Sequence, residues 1–462
     1  MLLLAGCPSA GKDAAIDATP RPGPSVTPVA QKPDGPRVRV DGGHDAHVAP
    51  AGPPADLNVI LLSIDCLRAD MPWAGYPRDI APHLTELEKK SVDFTVAYSM
   101  SSYTSMSLGG LLGGKLPGEM TRDGYFFGYY GKGNVMFPEL LQASGVRTLA
   151  AHAHGYFHDA GFDQGFDRWE VLEGLKWNNT TDENITSPKL EALAEKLLSE
   201  PEVGAAGKRF FAWFHFLDPH DRYLPHEGIG PYGKNLRDAY DVEVTFTDQY
   251  IGKLLDFVAS RPWGARTAFI VTGDHGEAFG EHHQFVHGFE LWQNLVRVPL
   301  FFVVPGAAPR HIDSPTSAID LAPTILDLFG VPATGWPPGK DGGGPPGFEG
   351  TSLAPVLFGS APVPRDVVID LPATSDSDRR RALVHGSTKI IAFSDDTYFN
   401  VFDLEADPDE LHPIVKGDVF ADMLARYRAF EKTTHDILPT KCKEGCLNGA
   451  YAKKTPKPDG GP

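Results

Sequence analysis

The chain has 462 residues, of which 42% are hydrophobic, so it is long enough for one large α/β domain with a smaller companion. Its formal net charge of −18 argues against a nucleic-acid-binding protein, because such proteins present basic surfaces. An anionic substrate would be repelled by this overall charge and would need a local positive site, such as a bound metal ion.

The first residues resemble the processing site of a bacterial lipoprotein. Cys7 follows the apolar run Leu3-Leu4-Ala5-Gly6, and a cysteine in this place becomes the lipid-anchored first residue after signal cleavage. The alternative is a chance apolar start, since no Lys or Arg precedes the run. We expect residues 1–6 to be a signal remnant and residues 7–55, rich in Pro, Gly and Ala, to be a tether. The expected location is the bacterial cell envelope, on the periplasmic or outer-membrane face.

The globular part begins with the apolar run at 58–65, which is typical of a central parallel strand. Four more strands are predicted over Val146–His152, Phe210–Leu217, Thr267–Gly273 and Val296–Val304. Helical patterns lie between them, over Pro82–Val92, Phe137–Ser144, Ser187–Leu198, Asp238–Ser260 and Ile319–Phe329. This alternation predicts an α/β fold with a large, mostly parallel central sheet and helices on both faces.

The last quarter of the chain has a different pattern. A Gly/Pro-rich loop at 335–350 separates the α/β part from short apolar runs and one helical pattern, Val419–Lys432. We therefore predict a main domain over 56–360, a C-terminal α+β subdomain with a short antiparallel sheet over 361–437, and a loose tail over 438–462. The strands expected in the subdomain are Val367–Leu371, Ala382–His385, Lys389–Phe393 and Val401–Asp403.

Three of the predicted parallel strands end in acidic or imidazole residues: Asp65, then Asp218-Pro219-His220, then Asp274-His275. Open α/β sheets bind ligands beyond the carboxyl ends of their strands, and these side chains are metal ligands. The pattern predicts a shared metal site at this sheet edge. For any one residue the alternative is a helix-capping aspartate or a hydrogen-bonded core histidine. Cys66, directly after the first strand, is expected to be buried rather than reactive.

A run of small hydroxyl residues at 101–107 precedes a Gly/Leu segment. A helix that starts here would direct its free N–H groups at an anion, and one hydroxyl would be a metal-activated nucleophile. The alternative is a cluster of Ser/Thr N-caps, which gives the same pattern. Gly109, Gly110 and Gly113 predict a weak helix.

Six short blocks occur in this order along the chain: NVILLSIDCLRAD at 58–70, FLDPHD at 216–221, DHGEAFG at 274–280, HG at 287–288, RVPL at 297–300 and FDLEADP at 402–408. Together they resemble the sulfatases of the alkaline phosphatase superfamily, and the resemblance covers residues 57–412. It implies an alkaline phosphatase-like fold and metal-dependent cleavage of phosphate- or sulfate-type esters.

The resemblance also implies a role for each matching residue. Asp65, Asp274 and His275 would bind one or two divalent metal ions, and the imidazole favours Zn or Mn over Ca or Mg. Thr104 falls at the nucleophile position. The other positions would contact the ester, with His220 and His287 as catalytic groups at its oxygens or leaving group, and Arg68, Lys132 and His215 as substrate-binding groups.

The nucleophile segment departs from the sulfatase pattern. Sulfatases use Cys or Ser within C-x-P-x-R and convert it to formylglycine, whereas this chain reads Thr104-Ser105-Met106-Ser107-Leu108. Phosphoryl-transferring relatives use an unmodified threonine, so hydrolysis or transfer of a phosphate-type ester is favoured. The alternatives are a catalytically inactive, lipid-anchored binding protein and a true sulfuric ester hydrolase. The expected substrate is a small molecule or a lipid or glycan ester, with the membrane as a partner and no nucleic acid.

Overall fold

The computed structural model describes residues 52–123, 127–176, 185–333, 347–374 and 377–439. Cys7, nearly all of the predicted tether and most of the predicted tail lie outside these residues, so membrane anchoring and location remain predictions. None of the helices in the described ranges has the length and apolar character needed to cross a membrane.

The strands are, in chain order, β1 Asn58–Ile64, β2 Val92–Phe94, β3 Ala97–Tyr98, β4 Arg147–His152, β5 Arg168–Val171, β6 Phe210–Phe216, β7 Thr267–Gly273, β8 Arg297–Val298, β9 Leu300–Val303, β10 Arg310–Ile312, β11 Thr316–Ser317, β12 Val367–Leu371, β13 Arg380–His385, β14 Thr388–Phe393 and β15 Tyr398–Asp403. The α-helices are α1 Pro82–Glu88, α2 Thr104–Gly113, α3 Phe137–Ala143, α4 Ser187–Leu198, α5 Leu236–Ala259, α6 Gln293–Val296, α7 Leu321–Leu328, α8 Ala354–Leu357 and α9 Asp418–Glu431.

The central sheet has eight strands in the order β10-β2-β9-β7-β1-β6-β4-β5. The pairs are parallel except where β9 runs against β2 and β7. Both faces of β1 are buried because alternate residues point to opposite sides of the sheet. Val59 and Leu61 belong to one core, which includes residues of α2, α3 and α7, while Ile60 and Leu62 belong to another, which includes residues of α1, α4 and α5. The predicted parallel sheet covered on both faces is confirmed.

The predicted strand Val296–Val304 was wrong as a single element. Pro299 divides it, because a proline has no N–H to give to a strand ladder. Before Pro299, β8 pairs with β3 in a separate three-stranded sheet of order β11-β3-β8. After it, β9 joins the central sheet against β7. The predicted helix Pro82–Val92 is also shorter, since α1 ends at Glu88 and Val92 begins β2.

The helix that starts at Thr104 forms in spite of its glycines. A Cβ atom on Gly109 would lie 2.4 Å from Cζ of Tyr130, and one on Gly113 would lie 2.5 Å from Cε of Met120. These glycines therefore let neighbouring side chains approach the helix backbone closely. Packing offsets the low helix propensity of glycine, which is about 1 kcal/mol per residue relative to alanine.

The predicted C-terminal subdomain is present as a four-stranded antiparallel sheet, β12-β13-β14-β15. On one face Leu383 and Ile390 pack against Met423 and Tyr427 of α9. The opposite face, including Ile391, joins the core that also contains α2. The subdomain is thus built onto the main domain through a shared hydrophobic core.

A buried ion pair ties this subdomain to the main domain. Lys389 Nζ lies 2.7 Å from Glu410 Oε1 and donates to the carbonyl of Leu291, while the N–H of Gln293 donates to Glu410 Oε2 at 2.7 Å. The segment at 291–293 follows the predicted catalytic residue His287 by only a few positions. The pair therefore holds in place a loop on which the candidate site depends.

We expect Lys389→Met to lower the free energy of unfolding by about 3–5 kcal/mol, because it leaves the Glu410 carboxylate buried and uncompensated. Urea denaturation measures the loss. The matched control is the double variant Lys389→Met/Glu410→Leu, which removes both charges and should recover most of it. Equal losses in the single and double variants would contradict this account.

Candidate active site

The register of three central strands brings the two predicted metal-binding aspartates together. Ile64 at the end of β1 is paired with Gly273 of β7 and with Phe216 of β6. The next residues, Asp65 and Asp274, therefore leave the sheet side by side. Both are buried, and the N–H of Cys66 donates to Asp274 Oδ1 at 3.3 Å.

His275 completes the predicted group. Its Nε2 lies 3.6 Å from Asp65 Oδ1, 3.5 Å from Asp274 Oδ2 and 3.0 Å from Thr104 Oγ1. Its Nδ1–H donates to the carbonyl of Gly276 at 2.9 Å. This leaves Nε2 as the nitrogen that presents a lone pair to the cluster.

The surroundings shift the pKa values of the two buried carboxyl groups in opposite directions. Burial and the nearby Asp65 carboxylate raise the pKa of Asp274 well above its usual value. Burial disfavours the Asp65 anion too, but the hydrogen bond from His215 and the charge of His220 outweigh this and hold the pKa of Asp65 well below its usual value. Burial, then the charge of His287, lowers the pKa of His275 to about 3, so this ring is neutral.

This donor set fits a divalent cation. Asp274 Oδ2 is buried and makes no hydrogen bond among the described residues, although most buried polar atoms in proteins do. Two carboxylates and a neutral imidazole are ligands of first-row metals, and a cation between the carboxylates would remove their mutual repulsion. Asp65, His215 and Asp274 each present a possible ligand atom within 4.8 Å of the others, as do Asp65, Cys66 and His275.

Thr104 is the first residue of α2 and is only partly buried. The residue before the helix is Tyr103, and no side chain caps the helix start. The alternative of a Ser/Thr cap therefore does not describe Thr104, whose hydroxyl instead points to His275 at 3.0 Å. A nucleophile in this place would face the predicted metal ligands.

His215, which was predicted to bind substrate, forms hydrogen bonds with Ser63 and Asp65. Trp213 Nε1–H donates to Ser63 Oγ at 2.8 Å, Ser63 donates to His215 Nδ1 at 2.7 Å, and His215 Nε2–H donates to Asp65 Oδ2 at 3.2 Å. This order follows because the indole only donates and the carboxylate only accepts. The chain fixes the tautomer of His215 and orients Asp65. A substrate contact of His215 remains a prediction.

His220 and His287 lie beside the cluster, as predicted. Their ring centroids are 5.0 Å apart, and that of His287 is 4.3 Å from the ring of His275. Burial would lower the pKa of His287, but the buried Glu277 carboxylate, 3.3 Å from Nδ1, raises it above the usual value. His220 Nδ1–H donates to the carbonyl of Asp221 at 2.7 Å. Glu277 thus favours the protonated form of His287, whose ring lies next to that of His275.

The other two predicted substrate-binding residues, Arg68 and Lys132, are placed differently from His215. The Arg68 guanidinium bonds to Asp70, to Glu281 and to the carbonyl of Glu277, so carboxylates compensate its charge. Lys132 is exposed. Substrate binding by both remains a prediction.

Asp218 lies outside the cluster, contrary to what its place at a strand end suggested. Its carboxylate accepts hydrogen bonds from the N–H groups of Thr186 and Ser187 at the start of α4. It is the helix-capping aspartate of the alternative interpretation.

Three residues that support the site were missed in the sequence. Ser63 sits inside an apolar strand, where a lone polar residue was the available signal. Glu277 is part of the DHGEAFG block. Its position three residues after Asp274 does not predict that its carboxylate contacts His287. For Cys66, the sequence predicted only that the side chain is buried.

A sequence profile described as Sulfatase matches residues 57–331, more than half of the chain. The chain belongs to the sulfatase family. This membership places it among the ester hydrolases of the alkaline phosphatase superfamily.

Similar proteins agree with this assignment. A choline-sulfatase of Rhizobium meliloti is 22% identical over 488 aligned positions, covering 85% of this chain and 92% of the relative. An ulvan-active sulfatase of Formosa agariphila is 24% identical over 350 positions, covering 66% of this chain and 65% of that protein, slightly less than two thirds. The solved phosphonate monoester hydrolase of Agrobacterium radiobacter shares the fold, with a TM-score of 0.65, 16% identity and coverage of 81% of this chain and 95% of that one.

We expect Ser63→Ala to weaken binding of a divalent ion about 10–100-fold, because residues that orient a metal ligand typically contribute this much. Without the Ser63 hydroxyl, His215 can adopt the other tautomer and lose its bond to Asp65. Equilibrium dialysis against Zn²⁺ measures the change. Ser91→Ala also removes a buried hydroxyl, one that makes no hydrogen bond among the described residues, and is the control that should bind as the unchanged protein does. Equal affinities in all three proteins would contradict the role of Ser63.

Proposed function

We propose that this sulfatase-family protein is a divalent-metal-dependent hydrolase of phosphate- or phosphonate-type esters, with Thr104 as its nucleophile. The observation that carries the proposal is the 3.0 Å contact between Thr104 Oγ1 and His275 Nε2, inside a buried cluster with Asp65 and Asp274. A hydroxyl at the start of a helix, beside a cluster of three side chains that can bind a metal ion, is placed for nucleophilic attack.

Asp65, Asp274 and His275 would hold the ion, and the imidazole favours Zn or Mn over Ca or Mg. When bound, a divalent ion supplies positive charge that polarises the ester and favours the deprotonated hydroxyl of Thr104. The protein's own contribution is to place that hydroxyl beside the cluster and to keep His215 bonded to Asp65.

The reaction proposed has two displacement steps. Thr104 Oγ forms a bond to phosphorus, the bond to the leaving oxygen breaks, and the hydroxyl proton passes to solvent. His287, whose pKa the Glu277 carboxylate raises, gives a proton to the leaving oxygen and regains one from solvent before the next turnover. Water then attacks phosphorus, breaks its bond to Thr104 and restores the hydroxyl. An acceptor alcohol in place of water would make the same protein a transferase.

Sulfate-ester hydrolysis is the second candidate, and the names of the sequence relatives favour it. The identity of residue 104 argues against it, because a threonine cannot be converted to formylglycine by the sulfatase route. A sulfated threonine would also be difficult to hydrolyse. The same fold carries phosphonate monoester hydrolysis in the Agrobacterium radiobacter protein.

An aromatic cleft lined by the loop that carries His287 supports a substrate whose ester group is attached to a glycan. The cleft has a volume of 660 Å³ and lies between the loop at 282–292 and the strands β14 and β15. Phe285, Phe289 and Tyr398 are 57%, 45% and 51% exposed there, which is unusual for large aromatic side chains. Gln284 Oε1 is buried at this cleft without a hydrogen bond among the described residues. Aromatic faces with an unpaired acceptor suit the apolar face and hydroxyls of a sugar ring.

We expect Thr104→Ala to reduce kcat on p-nitrophenyl phenylphosphonate at least 10³-fold, because removing a nucleophile leaves only binding and electrostatic effects. Stopped assays with Zn²⁺ or Mn²⁺ measure it. Thr104→Ser keeps a hydroxyl in place and is the control that should retain substantial turnover. If Thr104→Ala is as active as the unchanged protein, the proposed nucleophile is wrong. If the folded, metal-loaded protein turns over neither phosphate nor sulfate esters, the inactive binding protein becomes the better account.

We expect Tyr398→Ala to lower kcat/KM for a phosphorylated or sulfated oligosaccharide about 2- to 13-fold relative to kcat/KM for a small aryl ester. The loss of one stacked aromatic face, worth about 0.5–1.5 kcal/mol, accounts for this factor. Val419→Ala removes an equally exposed apolar side chain outside the cleft and is the control. An unchanged ratio of the two kcat/KM values would remove the cleft from substrate recognition.

A further inference from the structure

We propose that the edge of the central sheet carries a further divalent-cation site, formed by Glu88, Asp93 and His311 and called the edge site here. These side chains come from the last residue of α1, from β2 and from β10. The edge site lies apart from the candidate active site, because β10 and β2 are at one end of the strand order, separated from β1 by β9 and β7. The inference does not depend on the proposed hydrolase activity.

Strand pairing brings two of the three ligands together. β10 runs parallel to β2, and His311 is the register partner of Asp93. Side chains at paired positions of neighbouring strands lie on the same face of a sheet. Glu88 ends α1 shortly before β2 begins, and this brings its carboxylate to the same place. One possible ligand atom from each of the three residues lies within 4.8 Å of the other two.

The separations are close to those between ligand atoms around one ion. His311 Nδ1 lies 3.3 Å from Asp93 Oδ2 and 3.8 Å from Glu88 Oε1. Bonds of about 2.0–2.2 Å from Zn²⁺ to nitrogen and oxygen, in a tetrahedral arrangement, place neighbouring ligand atoms about 3.3–3.6 Å apart. The first distance fits, and a small rotation of the flexible Glu88 side chain closes the second. The His311 side chain is exposed, which leaves room for water as the fourth ligand.

The Glu88 carboxylate is an independent observation that points to a ligand. The Glu88 side chain is 7% exposed, yet its carboxylate makes no hydrogen bond among the described residues. Most buried polar groups in proteins have a hydrogen-bond partner, and a buried carboxylate without one is costly. Its Oε1 faces the His311 ring, so a cation between the two would satisfy it.

The charges around the edge site also favour a cation. Burial and the neighbouring Asp93 carboxylate raise the pKa of Glu88, and burial raises the pKa of Asp93 as well. Asp313 adds negative charge near Asp93, and the guanidinium of Arg297 donates to a backbone carbonyl at 2.8 Å. Two carboxylates and an imidazole suit a first-row ion such as Zn²⁺ better than Ca²⁺ or Mg²⁺.

An ion at the edge site would connect three elements that otherwise meet through few residues. β10 has only three residues and is an outer strand of the central sheet. Short outer segments open more readily than central strands do. An ion that binds the folded protein and not the unfolded chain stabilises the fold. The role that we assign to the edge site is therefore to hold β10 against β2 and α1.

The test counts the ions bound to the full-length protein, prepared without a polyhistidine tag, by equilibrium dialysis against Zn²⁺ and metal analysis. We expect His311→Ala to bind one ion fewer per chain than the unchanged protein. Asp93→Asn keeps the size of the side chain and should give the same loss. His385→Ala is the matched control, because His385 Nδ1 lies 2.7 Å from an Asp366 oxygen but belongs to no three-ligand group among the described residues.

Hydrogen exchange tests the structural role. The N–H of Thr95 donates to the carbonyl of Ile312 at 3.0 Å and so reports on the contact between β2 and β10. At a free Zn²⁺ concentration about ten times the Kd, exchange that requires the edge site to open should slow about tenfold. We expect this slowing in peptides that contain β2 and β10 of the unchanged protein, and no slowing in His311→Ala.

Equal ion counts in the unchanged protein and His311→Ala would overturn the edge site and leave a hydrogen bond between His311 and Asp93. The loss of an ion in His385→Ala as well would also overturn it, because exposed imidazoles would then bind Zn²⁺ adventitiously. A lower ion count without a change in exchange would overturn the structural role. Asp274→Asn should lose a different ion, so the failure of either metal site can be recognised separately.

Discussion

The parallel register of β1 and β7 is the constraint on which the rest of the site depends. Pairing Ile64 with Gly273 forces two aspartates, separated by more than two hundred residues in the chain, to leave the sheet next to each other in a buried place. Two carboxylates in that position repel one another, and burial disfavours the charge of each. A strand slip of one residue would separate them, so the parallel register holds the two carboxylates together. A positive charge between them would relieve their repulsion.

Other segments converge on this pair by different means. The hydrogen bonds from Trp213 through Ser63 and His215 orient the Asp65 carboxylate. Helix α2 brings the Thr104 hydroxyl to 3.0 Å from His275 Nε2. The glycines of α2 allow that helix to lie close to its neighbours. The C-terminal sheet, although remote in sequence, anchors the segment after His287 through the Lys389–Glu410 pair. The geometry of the candidate site therefore depends on the central sheet and on the C-terminal sheet.

Local sequence patterns were sufficient for the fold class and for most of the cluster. Strand ends in a parallel sheet share one edge, so Asp65 and Asp274 followed from apolar periodicity. The patterns failed where long-range contacts decide the outcome. Asp218 ends a strand too, but its carboxylate meets the start of α4. The segment around Pro299 divides between two sheets because its partners lie elsewhere in the chain. The hydrogen bonds of Ser63 depend on the pairing of β1 with β6. The Glu277–His287 contact depends on the path of the segment after β7. Residue spacing alone predicts neither.

In the proposed function, the threonine at position 104 determines which ester this member of the sulfatase family cleaves. The central claim is that this threonine becomes covalently modified during turnover. The most direct measurement is acid quenching of the metal-loaded protein during turnover of an aryl phosphate, followed by peptide mass spectrometry. The account predicts a phosphoryl group on the peptide that contains Thr104, on the threonine itself, absent without substrate. Turnover with that peptide unmodified, or with the phosphoryl group on another residue, would contradict it.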